Sequence, residues 1–408
     1  MTEHAPDAPR LAILGAGPVG LDAALAAADA GLPFTVYEAA EGPAAHVAAW
    51  GHVRLFSPWD LDVSPRMRRH LEAAGHPVPS GDACPTGAEL VARVFAPVAA
   101  LPVVAPRVRY RQRVVAVGRE GLLKHREIAS AERARRPFRL LVAGPGGAER
   151  TASADVVLDC TGIYGQPNAL GDGGIPAAGE RELDAEIRRH LPDLAAEAEH
   201  WAGRTTLLVG GGHSAQTAAR DLAALAVAHP GTRVLWLLPQ EPPAVEPDDP
   251  LPERRRVAAA AREIATGGSP ACEPLPGARV AALGRDGGGR IAVQVVHPDG
   301  RSERRTVDRV LALTGYVGDL GMIRQLQVHQ CYATEGPMKL SAALLGAAAG
   351  DCLAQASHGV ETLLNPEPGF FLLGAKSYGR NNSFLLRVGW QQVDEVAGWL
   401  AGRREEAA

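Results

Sequence analysis

The stretch Leu11-Ala-Ile-Leu-Gly15-Ala-Gly17-Pro-Val-Gly20, continued by an Ala-rich run to residue 30 and by Phe34-Thr-Val-Tyr37-Glu38, decides the fold. A short apolar run, a glycine turn, a helix-forming segment and a second apolar run spell a buried strand, helix and strand in about 28 residues. Gly15 permits the tight turn off the strand, Gly17 lets the backbone approach a diphosphate, and Gly20 allows close packing of helix on strand. Pro18 and Val19 open the helix, whose N-terminus offers unpaired N–H groups to an anion. Glu38, 18 residues after Gly20, stands where an acid accepts hydrogen bonds from the adenosine ribose. This pattern predicts a dinucleotide site.

The same grammar returns about 195 residues later. Thr206-Leu-Leu-Val209 leads into Gly210-Gly-Gly212-His213-Ser214-Ala215, a helix over 215–228 and the strand Val234-Leu-Trp-Leu-Leu238. Here the second strand ends in Pro239-Gln240, with no acid for a ribose 2′-hydroxyl, which weighs against NAD. Arg254, Arg255 and Arg256, across the Pro-rich segment 239–253, either supply charge for a 2′-phosphate or form an ordinary solvated face. We therefore expect NADPH, or NADH, as the second nucleotide. Each unit closes on a similar strand-to-turn exit, Asp155-Val-Val-Leu-Asp-Cys-Thr161-Gly162 and Asp308-Arg-Val-Leu-Ala-Leu-Thr314-Gly315. Alternating segments at 107–118 and 138–143, and at 278–285 and 291–297 around Asp286-Gly-Gly-Gly289, predict accessory strands. Phe370–Leu373 reads as a strand, 374–382 as a polar loop and 383–400 as an amphipathic helix.

The chain's 408 residues exceed what one core usually organises, roughly 250–300 residues. A net charge of −4 lacks the basic surplus of nucleic-acid binders. Five cysteines, an odd number without a CxxC pair, signal neither a disulfide framework nor a metal site. The N-terminal residues lack the pattern of a secretory signal and no run reaches the roughly 18–20 apolar residues of a membrane span, so the expected location is the cytoplasm. Neither a nucleic-acid nor a membrane partner is expected, and a homodimer is left open.

With both glycine loops and both Thr-Gly exits in place, the chain resembles the flavoproteins with two dinucleotide-binding domains: thioredoxin-reductase-like enzymes, flavin-containing monooxygenases and N-hydroxylating monooxygenases. The resemblance covers about residues 10–400. It implies an α/β fold of two Rossmann-like domains, with an NAD(P)H domain at 164–311 inserted into a discontinuous FAD domain at 1–163 and 312–408. Dithiol reductases need a redox cysteine pair, and no two cysteines lie closer in sequence than Cys331 and Cys352. The family's usual C-terminal Gly-Asp is replaced by Gly374-Ala375-Lys376, and Asn381-Asn382-Ser383 followed by Leu385-Leu386 resembles the N-hydroxylating branch. The flavin-monooxygenase signature Phe-x-Gly-x-x-x-His is missing before the second loop. Trp50-Gly-His-Val-Arg-Leu-Phe-Ser-Pro-Trp59, Gly173–Glu180 and Lys376-Ser-Tyr-Gly-Arg380 are similar to a group of flavin monooxygenases, some associated with arsenic-resistance genes.

The resemblance implies a single-component monooxygenase in which NAD(P)H reduces FAD and a C4a-(hydro)peroxyflavin passes one oxygen atom of O2 to a small-molecule substrate. Two rivals stand beside it, an NAD(P)H:acceptor reductase that does not oxygenate and a flavin-binding redox sensor without turnover. On the monooxygenase reading Ser57 and Trp59 border the flavin ring, with Arg54 beside them. Asn381 and Asn382 with Ser383 start the last helix and direct its positive end at the ring. Thr161, Gly162, Gly315 and Gly374 form cofactor-facing turns. Lys376, Tyr378 and Arg380 either hold an anion or lie in a solvated loop, and His213 contacts the nicotinamide dinucleotide's phosphates.

Overall fold

The computed structural model describes residues 8–239, 241–346 and 356–407. The chain divides into two units, residues 1–166 with 317–408, and residues 167–316. These changes of unit lie a few residues beyond the expected 163/164 and 311/312. The reason is local: Asn168 N–H donates to Gly315 O at 2.9 Å and Thr314 Oγ1 to Asn168 O at 2.8 Å, which keeps residues 312–316 with the inserted unit.

Each unit repeats one architecture, a five-stranded parallel sheet with a three-stranded antiparallel sheet. In the first unit the parallel order is Phe370–Leu372, Val156–Asp159, Leu11–Leu14, Phe34–Tyr37, Val108–Arg109. All four residues of Leu11–Leu14 are buried, as a strand covered on both faces requires. The helix Pro18–Asp29 has Pro at its first turn and every residue from Val19 to Ala27 buried. Its five alanines let it lie close between the sheet and the helices Pro65–Ala73 and Leu386–Ala407, which pack against it. Pro is tolerated there because a first-turn N–H has no partner within the helix anyway. The antiparallel sheet joins Arg113–Arg119, Phe138–Ala143 and Glu149–Ala154.

In the second unit the parallel order is Cys272–Pro276, Arg233–Leu238, Thr205–Val209, Arg309–Ala312, Ile187–Arg188. Its antiparallel sheet joins Arg279–Arg285, Ile291–Val296 and Ser302–Val307. The helix His213–Ala228 follows the second glycine loop. In both sheets the glycine loop leaves the carboxyl end of a central strand flanked by the two strands that follow in opposite directions, the switch point where open α/β sheets bind ligands. Among the described residues no helix is long and apolar enough to cross a membrane.

The last helix begins at Leu386, three residues after the expected start. Asn381 Oδ1 accepts from Ser383 N–H at 2.9 Å and from Ser383 Oγ at 2.6 Å, closing a local turn before the helix begins. Asn381, Asn382 and Ser383 therefore do not form its N-terminus.

Candidate functional site

In the first unit the glycine loop is fixed from three sides. Gly15 N–H donates to Tyr37 O at 2.8 Å, and Ala16 O accepts from Ala44 N–H at 2.9 Å. Glu38 bridges what remains: its Oε2 accepts from Ala16 N–H at 2.7 Å and its Oε1 from Ala40 N–H at 2.8 Å. The acid thus braces the loop and keeps further lone pairs for a ligand. A Cβ on Gly20 would stand 2.0 Å from Gly15 O, and one on Gly15, at φ +94°, would stand 2.9 Å from Cys160 O. Gly17 has nothing within 4 Å of its would-be Cβ. The first and third glycines are required by packing, while the second leaves bare backbone facing open space.

That space is a cavity of about 420 Å³. Its wall includes Gly15, Gly17, Pro18, Glu38, Thr161 and Gly162 of the expected site, joined by Tyr37, His46, Gln112, Arg113, Cys160 and Asp319. Val19 and Gly20 pack behind the loop, and Gly374, at φ +72°, lies against Val19. The Thr161–Gly162 turn rests on a buried ion pair. Thr161 N–H and Oγ1 both donate to Asp159 Oδ1, at 3.1 and 2.6 Å, and Lys376 Nζ donates to Asp159 Oδ2 at 2.7 Å and to Thr161 Oγ1 at 3.2 Å. Both charged side chains are fully buried. Cys160, next to Asp159 in the chain and also buried, has its thiol pKa pushed well above the usual value by burial, with Asp159 acting the same way.

Several expected residues do not face this cavity. Trp59 is a core residue, 5% exposed, with the Arg93 guanidinium 5.2 Å from its ring centre. Ser57 Oγ donates to Asp62 Oδ1 at 2.6 Å, and burial raises the Asp62 carboxyl to about 7. Arg54 donates to the Cys84 carbonyl. Lys376 is spent on Asp159, Tyr378 is 1% exposed, and Arg380 pairs with Glu335 at 3.1 Å, so the group expected to hold an anion is inside the fold or neutralised. Cys352 and Gln240 lie outside the described residues.

In the second unit Gly210, at φ +135°, would put a Cβ 2.2 Å from Leu313 O, whereas Gly212 has nothing within 4 Å. His213 and Ser214 open the helix that Gly212 caps. Ala215, fully buried, stands where the first loop has Gly20. The Gly315 turn, at φ +84°, is held by Asn168, whose Nδ2 donates to Thr314 O at 3.1 Å. Burial, then Arg254, lower the His213 pKa while Asp249 opposes, which favours the neutral ring. Arg254 makes two bonds of 2.7 Å to Asp249, which cancels its charge, while Arg256 stays 79% exposed.

Solved structures superpose on the chain over nearly its whole length. The chain shares its fold with solved flavoproteins. A bacillithiol disulfide reductase from Bacillus cereus superposes with a TM-score of 0.70 at 19% identity, over 97% of this chain and 100% of that one. An ornithine N-hydroxylase from Kutzneria sp. 744, solved with reduced FAD, NADP+ and L-ornithine, gives 0.60 at 16% identity, over 98% and 99%. A flavin-containing monooxygenase from Stenotrophomonas maltophilia gives 0.57 at 20% identity, over 97% and 99%. No family model matches the sequence, and no curated protein matches it either.

The cavity residues missed from sequence, His46, Gln112, Arg113 and Asp319, come from three separate segments. Only Gln112 and Arg113 carry a signal, inside the alternating segment 107–118 expected as a strand.

Proposed function

We propose that the chain is a cytoplasmic, FAD-dependent NAD(P)H oxidoreductase, and within that class a monooxygenase acting on a small molecule with O2. On this reading the unit of residues 1–166 and 317–408 holds FAD, and residues 167–316 bind NADPH or NADH. The bare-backbone cradle at Gly17, the Glu38 carboxylate and the open Gly162 turn fit a dinucleotide: N–H groups and the helix end for the diphosphate, carboxylate oxygens for ribose hydroxyls. FAD, when bound, takes hydride from the nicotinamide and activates oxygen.

The chain's own residues position and shield. Gly15, Gly17 and Pro18 orient the diphosphate, and Thr161 and Gly162, held by Asp159 and Lys376, form the adjoining wall. Gly210, Gly212, His213, Ser214, Ala215 and Gly315 do the corresponding work for the nicotinamide dinucleotide. The neutral His213 ring can accept or donate a hydrogen bond there without adding charge.

Cys160 supports oxygen transfer over thiol chemistry. It is the cysteine on the cavity wall, and a buried thiol with a raised pKa is a poor nucleophile for disulfide exchange. The test is the product balance of purified protein turning over NADPH in air. With the right amine, thiol or arsenical, peroxide release should fall well below the NADPH consumed, and label from isotopic O2 should appear in the product. Stoichiometric peroxide with every such compound, together with acceleration by quinones or disulfides, would establish the acceptor reductase instead.

A further inference from the structure

We propose that the His46 imidazole is a proton-linked ligand of the dinucleotide diphosphate, so that cofactor binding in the first unit takes up a proton at this ring. The inference rests on the reading that this cavity holds FAD. His46 lies in the short helix Ala45–Ala49, two residues after Ala44, whose N–H donates to Ala16 O inside the glycine loop. This bond ties the residue before the helix to the loop, and His46 lines the same cavity as Gly15, Gly17 and Pro18. The side chain stays exposed to that cavity, and among the described residues none hydrogen bonds to its ring nitrogens. Its ring centre lies 5.3 Å from that of Tyr164, which braces one side.

The charged groups facing the ring are few. Glu38, from the end of the second strand, favours the charged form; Arg113, from the first strand of the antiparallel sheet, opposes it; Asp319 is on the same cavity wall. Partial desolvation outweighs Glu38 and holds the His46 pKa below the usual histidine value. The neutral ring is therefore favoured before a ligand arrives. A diphosphate carries its negative charges throughout the range of about pH 5 to 8 in which histidine titrates. Bringing those charges to the ring favours imidazolium and raises its pKa.

The sign follows from linkage. If the bound form has the higher pKa, binding takes up protons between the two pKa values, and affinity falls as pH rises through that interval. One proton bound per ligand sets a limit of about tenfold in Kd per pH unit.

Apoprotein titrated with FAD by fluorescence across that range, with calorimetry in two buffers of different ionisation enthalpy, tests this directly. Wild type should show Kd rising with pH and proton uptake near neutrality. His46→Gln should bind with the weak, high-pH affinity at every pH and take up no proton. His46→Lys, permanently charged, should bind tightly and independently of pH. Proton uptake and slope surviving unchanged in His46→Gln would overturn the proposal while leaving the FAD reading intact. Failure of the wild type to bind FAD at any pH would overturn both.

Discussion

The two glycine loops share a fold and differ in how each is braced. In the first unit the loop is held by an acid, Glu38, and its facing turn by a buried ion pair, Lys376 with Asp159. In the second unit the strand after the loop ends without an acid, and the facing turn is held by a neutral amide, Asn168. At the third loop position the first unit needs Gly20 and the second accommodates Ala215. A buried ion pair and a carboxylate cost desolvation and return a fixed geometry, which suits a cofactor that stays bound. A neutral clamp and an open loop suit one that exchanges every turnover.

The largest expected effect breaks the comparison at that third position. Gly20→Ala drives a Cβ to 2.0 Å from Gly15 O, backbone against backbone, and should cost several kcal/mol and abolish FAD retention. The reverse change in the other unit, Ala215→Gly, should cost only about 1 kcal/mol of helix propensity and leave FAD content unchanged. Thermal unfolding and flavin content of the two purified variants check this.

Next comes the brace behind each facing turn. Lys376→Met leaves Asp159 buried without its cation, for an expected loss of about 3–5 kcal/mol, and Asp159→Asn with Lys376→Met should recover most of it. Asn168→Ala removes neutral bonds only and should cost about 1 kcal/mol. Urea unfolding of the four proteins separates these outcomes.

The smallest effect on stability sharpens the comparison most. Gly17 and Gly212 both have open space where a Cβ would go. Each is the residue before a helix, where Ala in place of Gly costs under about 1 kcal/mol. Gly17→Ala should weaken FAD binding about tenfold, roughly 1.4 kcal/mol, with NAD(P)H affinity intact. Gly212→Ala should raise the KM for NAD(P)H and leave FAD content at the wild-type level.

How legible this was depended on how local each feature is. Leu11–Leu14 and Thr206–Val209, apolar runs ending in glycine, were readable because strand, turn and helix follow one another in the chain. The Asp159–Lys376 pair was not, since its members lie 217 residues apart and meet only when the strands Val156–Asp159 and Phe370–Leu372 lie side by side. Trp59 was read at the flavin and is in the core, because an aromatic after a Ser-Pro turn suits either place. Asn381 and Ser383 were read as a helix start, although the same side chains that cap helices also close turns, and here they close one. His46 has no local signal, because only tertiary contacts such as the Ala44–Ala16 bond bring its segment to the cavity wall.

The central claim is that one unit holds a flavin and the other delivers hydride to it. An anaerobic titration of the purified protein with NADPH, and separately with NADH, followed by the visible absorbance of the flavin, tests it most directly. We expect a yellow protein that bleaches with about one equivalent of the preferred nicotinamide, since one hydride reduces one flavin. A protein that takes up no FAD, or a yellow one that neither nicotinamide bleaches, would contradict it.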